Sequence, residues 1–72
     1  MSFPERLNAL QKERSIYKKD VCKAVGLSKT SYYRYETGER EPTSSILTAL
    51  ANYFNVSIDY LVGRTDNPVM NR

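Results

Sequence analysis

Seventy-two residues leave room for one small domain, and a chain of that size buries only about 60% of the surface its unfolded form exposes, so an enclosed substrate cavity is not expected. With 40% apolar and 26% charged residues it has the composition of an ordinary folded domain, not of a disordered tail or a fibre. One cysteine and no histidine rule out an intrachain disulfide and argue against a zinc site and against enzymes built on histidine, while the net charge of +3 is unevenly spread: residues 18–34 hold five cations and one anion.

Five helical patterns follow one another, with no strand-like alternation between them. The first opens at Ser2 with Glu5 three residues on, the spacing of a capping box, and Pro4 is tolerated in the first turn. It is expected to run to about residue 14, with Phe3, Leu7 and Leu10 on one face. The second pattern covers residues 18–25, turns Val21, Cys22 and Val25 inward, and stops at Gly26, which suits a left-handed C-cap.

Leu27 is the one apolar residue of the turn that follows, and Ser28 is placed to cap a third helix over residues 29–37. Steps of about 100° per residue put Ser28, Ser31, Tyr32, Tyr35 and Glu36 on one side of it and Lys29, Thr30, Tyr33, Arg34 and Thr37 on the other. Tyr32 and Tyr35 are therefore read as core. Gly38 ends this helix, and the loop from Glu39 to Pro42 is polar.

Thr43 caps a fourth helix that reaches about Phe54. Its stripe of Ile46, Leu47, Leu50, Ala51, Tyr53 and Phe54 makes it the expected centre of the core. Asn55 and Val56 form a break, after which Ser57 caps a short closing helix with Ile58, Leu61 and Val62, stopped by Gly63. The domain is thus drawn over residues 1–63. Residues 64–72, mostly polar and without period, are read as a flexible tail or the start of a linker.

A helix, an eight-residue helix, a Gly-Leu-Ser turn, a polar helix and two closing helices are the parts of a helix-turn-helix module. The run KKDVCKAVGLSKTSYYRYE, from Lys18 to Glu36, resembles the helix-turn-helix of the XRE family, the Cro and lambdoid phage repressor type of bacterial and phage regulators. The likeness covers about residues 5–63. It rests on a small residue at Cys22, the turn at Gly26, and apolar positions at Val21, Val25, Leu27, Tyr32 and Tyr35. Tyr35-Glu36-Thr37-Gly38, Pro42-Thr43 and residues 56–63 match the family's later segments.

The resemblance implies an all-α, compact five-helix, lambda-repressor-like DNA-binding domain whose third helix enters the major groove while the second crosses the backbone. Carried over position by position, the base-reading residues are Lys29, Thr30, Tyr33 and Arg34. Arg34 and Lys29 can donate to guanine O6 and N7, and the Thr30 methyl can meet a thymine methyl. For Tyr33, packing on a thymine methyl and bonding a phosphate both stay open. Phosphate contacts fall on Lys18, Ser28, Thr37 and Arg40, and dimer contacts on Tyr60 and Val62. The implied protein is a sequence-specific regulator of double-stranded DNA, a repressor binding a pseudo-palindromic operator as a homodimer, with half-site centres about 10 base pairs apart.

Four positions depart from the family's pattern. Lys18 stands where Gln is usual, which keeps a phosphate contact but not the bridge Gln makes to a base-reading side chain. Gln11 stands where an Arg often pairs with the acid at position 36, so Glu36 is expected to be hydrogen-bonded and not ion-paired. Tyr17 replaces a frequent Ser cap, at a cost of about 1 kcal/mol to the second helix. Glu39 replaces a frequent Lys.

Plainer readings accompany these. Lys18, Lys19 and Lys23 can be a solvated helix face, and Cys22 is read first as a small packing residue and second as a redox sensor. The alternative function is an antitoxin or protein-interaction module of a toxin-antitoxin pair, with a protein partner. No nucleophile and base are paired, the three glycines make no phosphate loop, and no apolar run spans a membrane. The expectation is a cytoplasmic protein that is not an enzyme and has no cofactor, metal or membrane partner.

Overall fold

Local capping sets the helix boundaries. In the computed structural model, which describes residues 1–69, the elements are α1 (Phe3–Glu13), α2 (Lys18–Val25), α3 (Lys29–Thr37), α4 (Ser44–Phe54) and α5 (Ile58–Leu61). The hydroxyls of Ser28, Thr43 and Ser57 accept the backbone N–H of Ser31, Ile46 and Tyr60, so each satisfies a donor that the first helical turn leaves open. At the start of α1, Glu5 accepts from both the N–H and the hydroxyl of Ser2. Tyr17, at the start of α2, makes no side-chain capping bond. Gly26 and Gly38 end α2 and α3 at φ values of 74° and 80°, a left-handed conformation that costs a residue with Cβ. Gly26 in particular turns the chain sharply enough for α3 to cross α2.

Among the described residues, eleven buried side chains make one core. Leu7 and Leu10 come from α1, Val21 and Cys22 from α2, Tyr32 and Tyr35 from α3, Leu50, Ala51 and Phe54 from α4, and Leu61 from α5. The eleventh is Val56, a connector residue expected to lie in a break and found fully buried. Full burial of a side chain such as Leu or Phe favours the fold by about 1.5–3 kcal/mol. Ile58, in contrast, is 42% exposed although it sits in an apolar helix. With only one turn in α5, Leu61 takes the inward position and Ile58 is left at the rim.

Helix α3 packs on α1 and on α2, and α4 packs on α2 and α5. The side of α3 away from α1 and α2 therefore faces outward. The Arg14 guanidinium donates to the Phe54 carbonyl, which satisfies an acceptor at the end of α4. After α5 the chain turns back over α1: Asp66 and the Thr65 carbonyl accept from Arg6, and the Ser57 N–H donates to the Pro68 carbonyl. The last part of the tail, residues 70–72, lies outside the described residues.

Candidate nucleic-acid interface

The inner side of α3 is held by two tyrosines. Tyr32 is fully buried and its hydroxyl donates to Gln11 Oε1 of α1 at 3.2 Å; Tyr35 meets Phe3 edge to face with ring centres 6.4 Å apart. Burial, and then the nearby Glu36, push the Tyr32 phenol far above its ordinary value, so it stays neutral. These contacts fix the rotation of the helix about its axis.

That rotation leaves Lys29, Thr30, Tyr33 and Thr37 exposed and Arg34 half-exposed. Tyr33, a large aromatic side chain, is 60% exposed. Thr30 and Tyr33 are adjacent on a helical surface, as are Lys29 and Tyr33 and also Thr30 and Arg34. The four residues named from the sequence as base-reading thus share one continuous outward strip. Arg34 is not free on that strip: its Nε lies 3.8 Å from Glu39 Oε2 in the following loop.

The residues named as phosphate contacts border the strip. Ser28 caps α3, and its hydroxyl also donates to the Ser31 hydroxyl. Thr37 donates to the Arg34 carbonyl and accepts from the Glu39 N–H, which ties the end of α3 to its loop. Arg40 is exposed in that loop, with its backbone N–H on the Arg34 carbonyl.

Lys18 is placed differently from the other three. Its Nζ lies 3.0 Å from Glu36 Oε2, joining the first turn of α2 to the inner edge of α3. The expectation that Glu36 would be hydrogen-bonded and not ion-paired is corrected by this contact. A cation reaches the acid from position 18 when position 11 is Gln, and Gln11 serves Tyr32 instead. Residue types alone did not reveal the pair, because nothing local relates the two positions before α2 and α3 cross.

Cys22 lies behind this seam, buried, with its thiol directed at the Ser28 carbonyl at 3.9 Å. Burial, and secondarily Glu36, raise its pKa, which favours the unreactive thiol over the thiolate. Tyr60 and Val62, the dimer candidates, are both half-buried. The Arg6 guanidinium covers the Tyr60 ring, while Val62 lines an open groove of about 440 Å³ together with Phe3, Pro4, Pro42 and Leu47. The sequence reading missed Arg6, which is buried despite its charge; its place three residues after Phe3 and four before Leu10 sets it beside the apolar face of α1.

Among the described residues no group of three or more Cys, His, Asp or Glu side chains is arranged to hold a metal ion, and no helix is long and apolar enough to cross a membrane.

Comparison with known proteins identifies the family and the fold. A helix-turn-helix family profile matches residues 8–61. The chain is similar to the uncharacterized HTH-type transcriptional regulator YobD of Bacillus subtilis, with 34% identity over 92% of this chain and 59% of the relative. It is 38% identical, over 89% of its length and 57% of the relative, to the cryptic phage CTXphi transcriptional repressor RstR of Vibrio cholerae. Among solved structures, the P22 c2 repressor in complex with a synthetic operator superposes with a TM-score of 0.80 at 32% identity, covering 86% of this chain and 94% of that one. The chain spans a little over half the length of the curated relatives it matches.

Proposed function

This chain belongs to the helix-turn-helix family matched over residues 8–61, and from that premise we propose that it is the DNA-binding domain of a transcriptional regulator, a repressor that reads double-stranded operator DNA. One observation carries the reading: Tyr32 and Tyr35 lock α3 from behind, so Lys29, Thr30, Tyr33 and Arg34 project together along its outer side. A rigid helix with one cationic, hydrogen-bonding strip fits the major groove, whose base edges present acceptors, donors and thymine methyls in distinct patterns. Arg34 is assigned to a guanine and Lys29 to the same edge at the start of the helix, with Ser28, Thr37 and Arg40 on flanking phosphates. The likeness to the P22 c2 repressor, which is bound to a synthetic operator in its own structure, supports the DNA-binding reading.

In this reading two copies bind a two-fold symmetric site, with Tyr60 and Val62 near the contact between them, and occupancy of the operator blocks transcription in the cytoplasm. The test is selection of binders from a random duplex pool, followed by titration of the selected duplex and a scrambled one at several salt concentrations. A two-fold symmetric consensus is expected, with log affinity falling linearly as log salt rises. Arg34→Ala should cost about 1–3 kcal/mol and relax preference at one base pair, whereas Arg40→Ala should weaken all duplexes alike. Absence of any consensus, or equal losses on both duplexes for Arg34→Ala, would overturn the assignment of α3.

A further inference from the structure

We propose that Lys18 is a positioning residue, committed to Glu36 across the seam between α2 and α3, and not a ligand of a DNA phosphate. The inference rests on the DNA-binding reading above, but its structural half can be read without DNA.

The Glu36 side chain is 7% exposed, whereas that of Lys18 is 54% exposed. A carboxylate so well covered is costly unless a cation or donors compensate it. The surrounding groups offer no equal substitute for Lys18. Gln11, at the position on α1 from which a cation could reach the acid, accepts from the Tyr32 hydroxyl with its amide oxygen. Asn8 donates to the backbone carbonyl of Glu36 and to that of Pro4, not to the carboxylate. Tyr32, Cys22, Lys29 and Tyr33 line the same small cavity of about 250 Å³ between the two helices. Lys29 is the other cation there, but it stands in the first turn of α3 on the outward strip, and no ion pair joins it to Glu36 among the described residues.

Two consequences follow for an approaching duplex. Moving the Lys18 ammonium onto a phosphate would leave the covered carboxylate uncompensated beside the polyanion. While Lys18 stays paired, its charge is cancelled at 3.0 Å, so the pair presents no net cation and displaces no counterion from the DNA. What the pair does supply is a fixed spacing between the start of α2, which meets the backbone, and the last turn of α3. Base contacts need that spacing; nonspecific attraction does not.

The test combines a double-mutant cycle with salt titration. Lys18→Gln, Glu36→Gln and the double variant are compared with the unchanged chain in thermal unfolding and in binding to the selected and scrambled duplexes, with Lys18→Arg as the conservative rescue. The expected result is that Lys18→Gln lowers affinity for the selected duplex by about three- to tenfold more than for the scrambled one, and leaves the slope of log affinity against log salt unchanged. Glu36→Gln should release Lys18 and steepen that slope by about 0.9. The double variant should be less impaired than the sum of the single ones predicts, in unfolding as well as in binding, and Lys18→Arg should retain selective binding.

The proposal is overturned if Lys18→Gln weakens both duplexes equally and lowers the slope by about 0.9, the signature of a lost phosphate contact. Additive effects on the unfolding temperature would overturn it as well. If the unchanged chain selects no duplex, the functional reading fails, while the unfolding cycle still shows whether Lys18 and Glu36 are coupled.

Discussion

The Arg6 guanidinium lies over the face of the Tyr60 ring, its central carbon 3.9 Å from the ring centre, with Nη2 3.2 Å from Asp66 Oδ1. A cation on the first turns of α1 is thereby covered by α5 and by the segment that follows it. Arg6 Nε has no hydrogen-bond partner among the described residues, so the ring face and the Asp66 contact supply much of the compensation for its burial.

Arg6→Ala should therefore destabilise the domain by about 1–3 kcal/mol through lost packing and the lost ring contact. For a domain this small each kcal/mol lowers the unfolding temperature by about 4–8 °C. Asp66→Asn, which alters a fully exposed carboxylate, should shift the midpoint far less. Thermal melts of the two variants check the order; equal shifts would mean that the ion pair and not the ring holds Arg6.

Tyr17→Ser should stabilise the domain. The tyrosine stands at the start of α2 without a capping bond and is 70% exposed, so little packing is lost. A serine oxygen at that position can accept a first-turn N–H, for a gain of about 0.5–2 kcal/mol. Urea unfolding with an unchanged denaturant slope and a raised midpoint is the expected record.

Glu39→Gln should tighten DNA binding. The acid holds Arg34 at 3.8 Å on a surface where such a pair adds little stability, and it places a negative charge beside the duplex. Affinity should rise by about two- to fivefold at low salt, with the gain shrinking as salt screens the charge. The unfolding temperature should barely move.

Stability should fall as pH rises above about 9, the ordinary thiol value from which Cys22 is raised by burial and by Glu36. In that range the unfolded chain releases the Cys22 proton while the folded one retains it, so each step upward in pH favours the unfolded state. Tyr32, raised for the same reasons, adds a loss of the same sign above about 10. Cys22→Ala should be less stable at neutral pH from the small cavity it leaves, yet show a shallower decline between about pH 9 and 10. Unfolding free energies measured across this range test the difference.

Much of this architecture was legible before any tertiary contact was known. Hydroxyl caps at Ser28, Thr43 and Ser57 and the glycines at 26 and 38 act within a turn of their own positions, and each lies where the spacing placed it. The division of α3 into a tyrosine side and a polar side follows from helical periodicity, and the burial of Tyr32 and Tyr35 agrees with it. Val56 was not legible, because a lone apolar residue between Asn55 and Ser57 has no period to reveal which way it points.

Helix boundaries and the outward side of α3 are written in the order of the residues, since both depend on interactions a few positions apart. How the charges are used emerges from the packing of the helices and loops. Lys18 is committed to Glu36, Arg34 leans on Glu39, and Arg6 is covered by Tyr60. The physical reason is that an ion pair depends on how two helices or a helix and a loop approach one another and on how much water they exclude. A cation free in solution and one held inside a seam are written with the same letter.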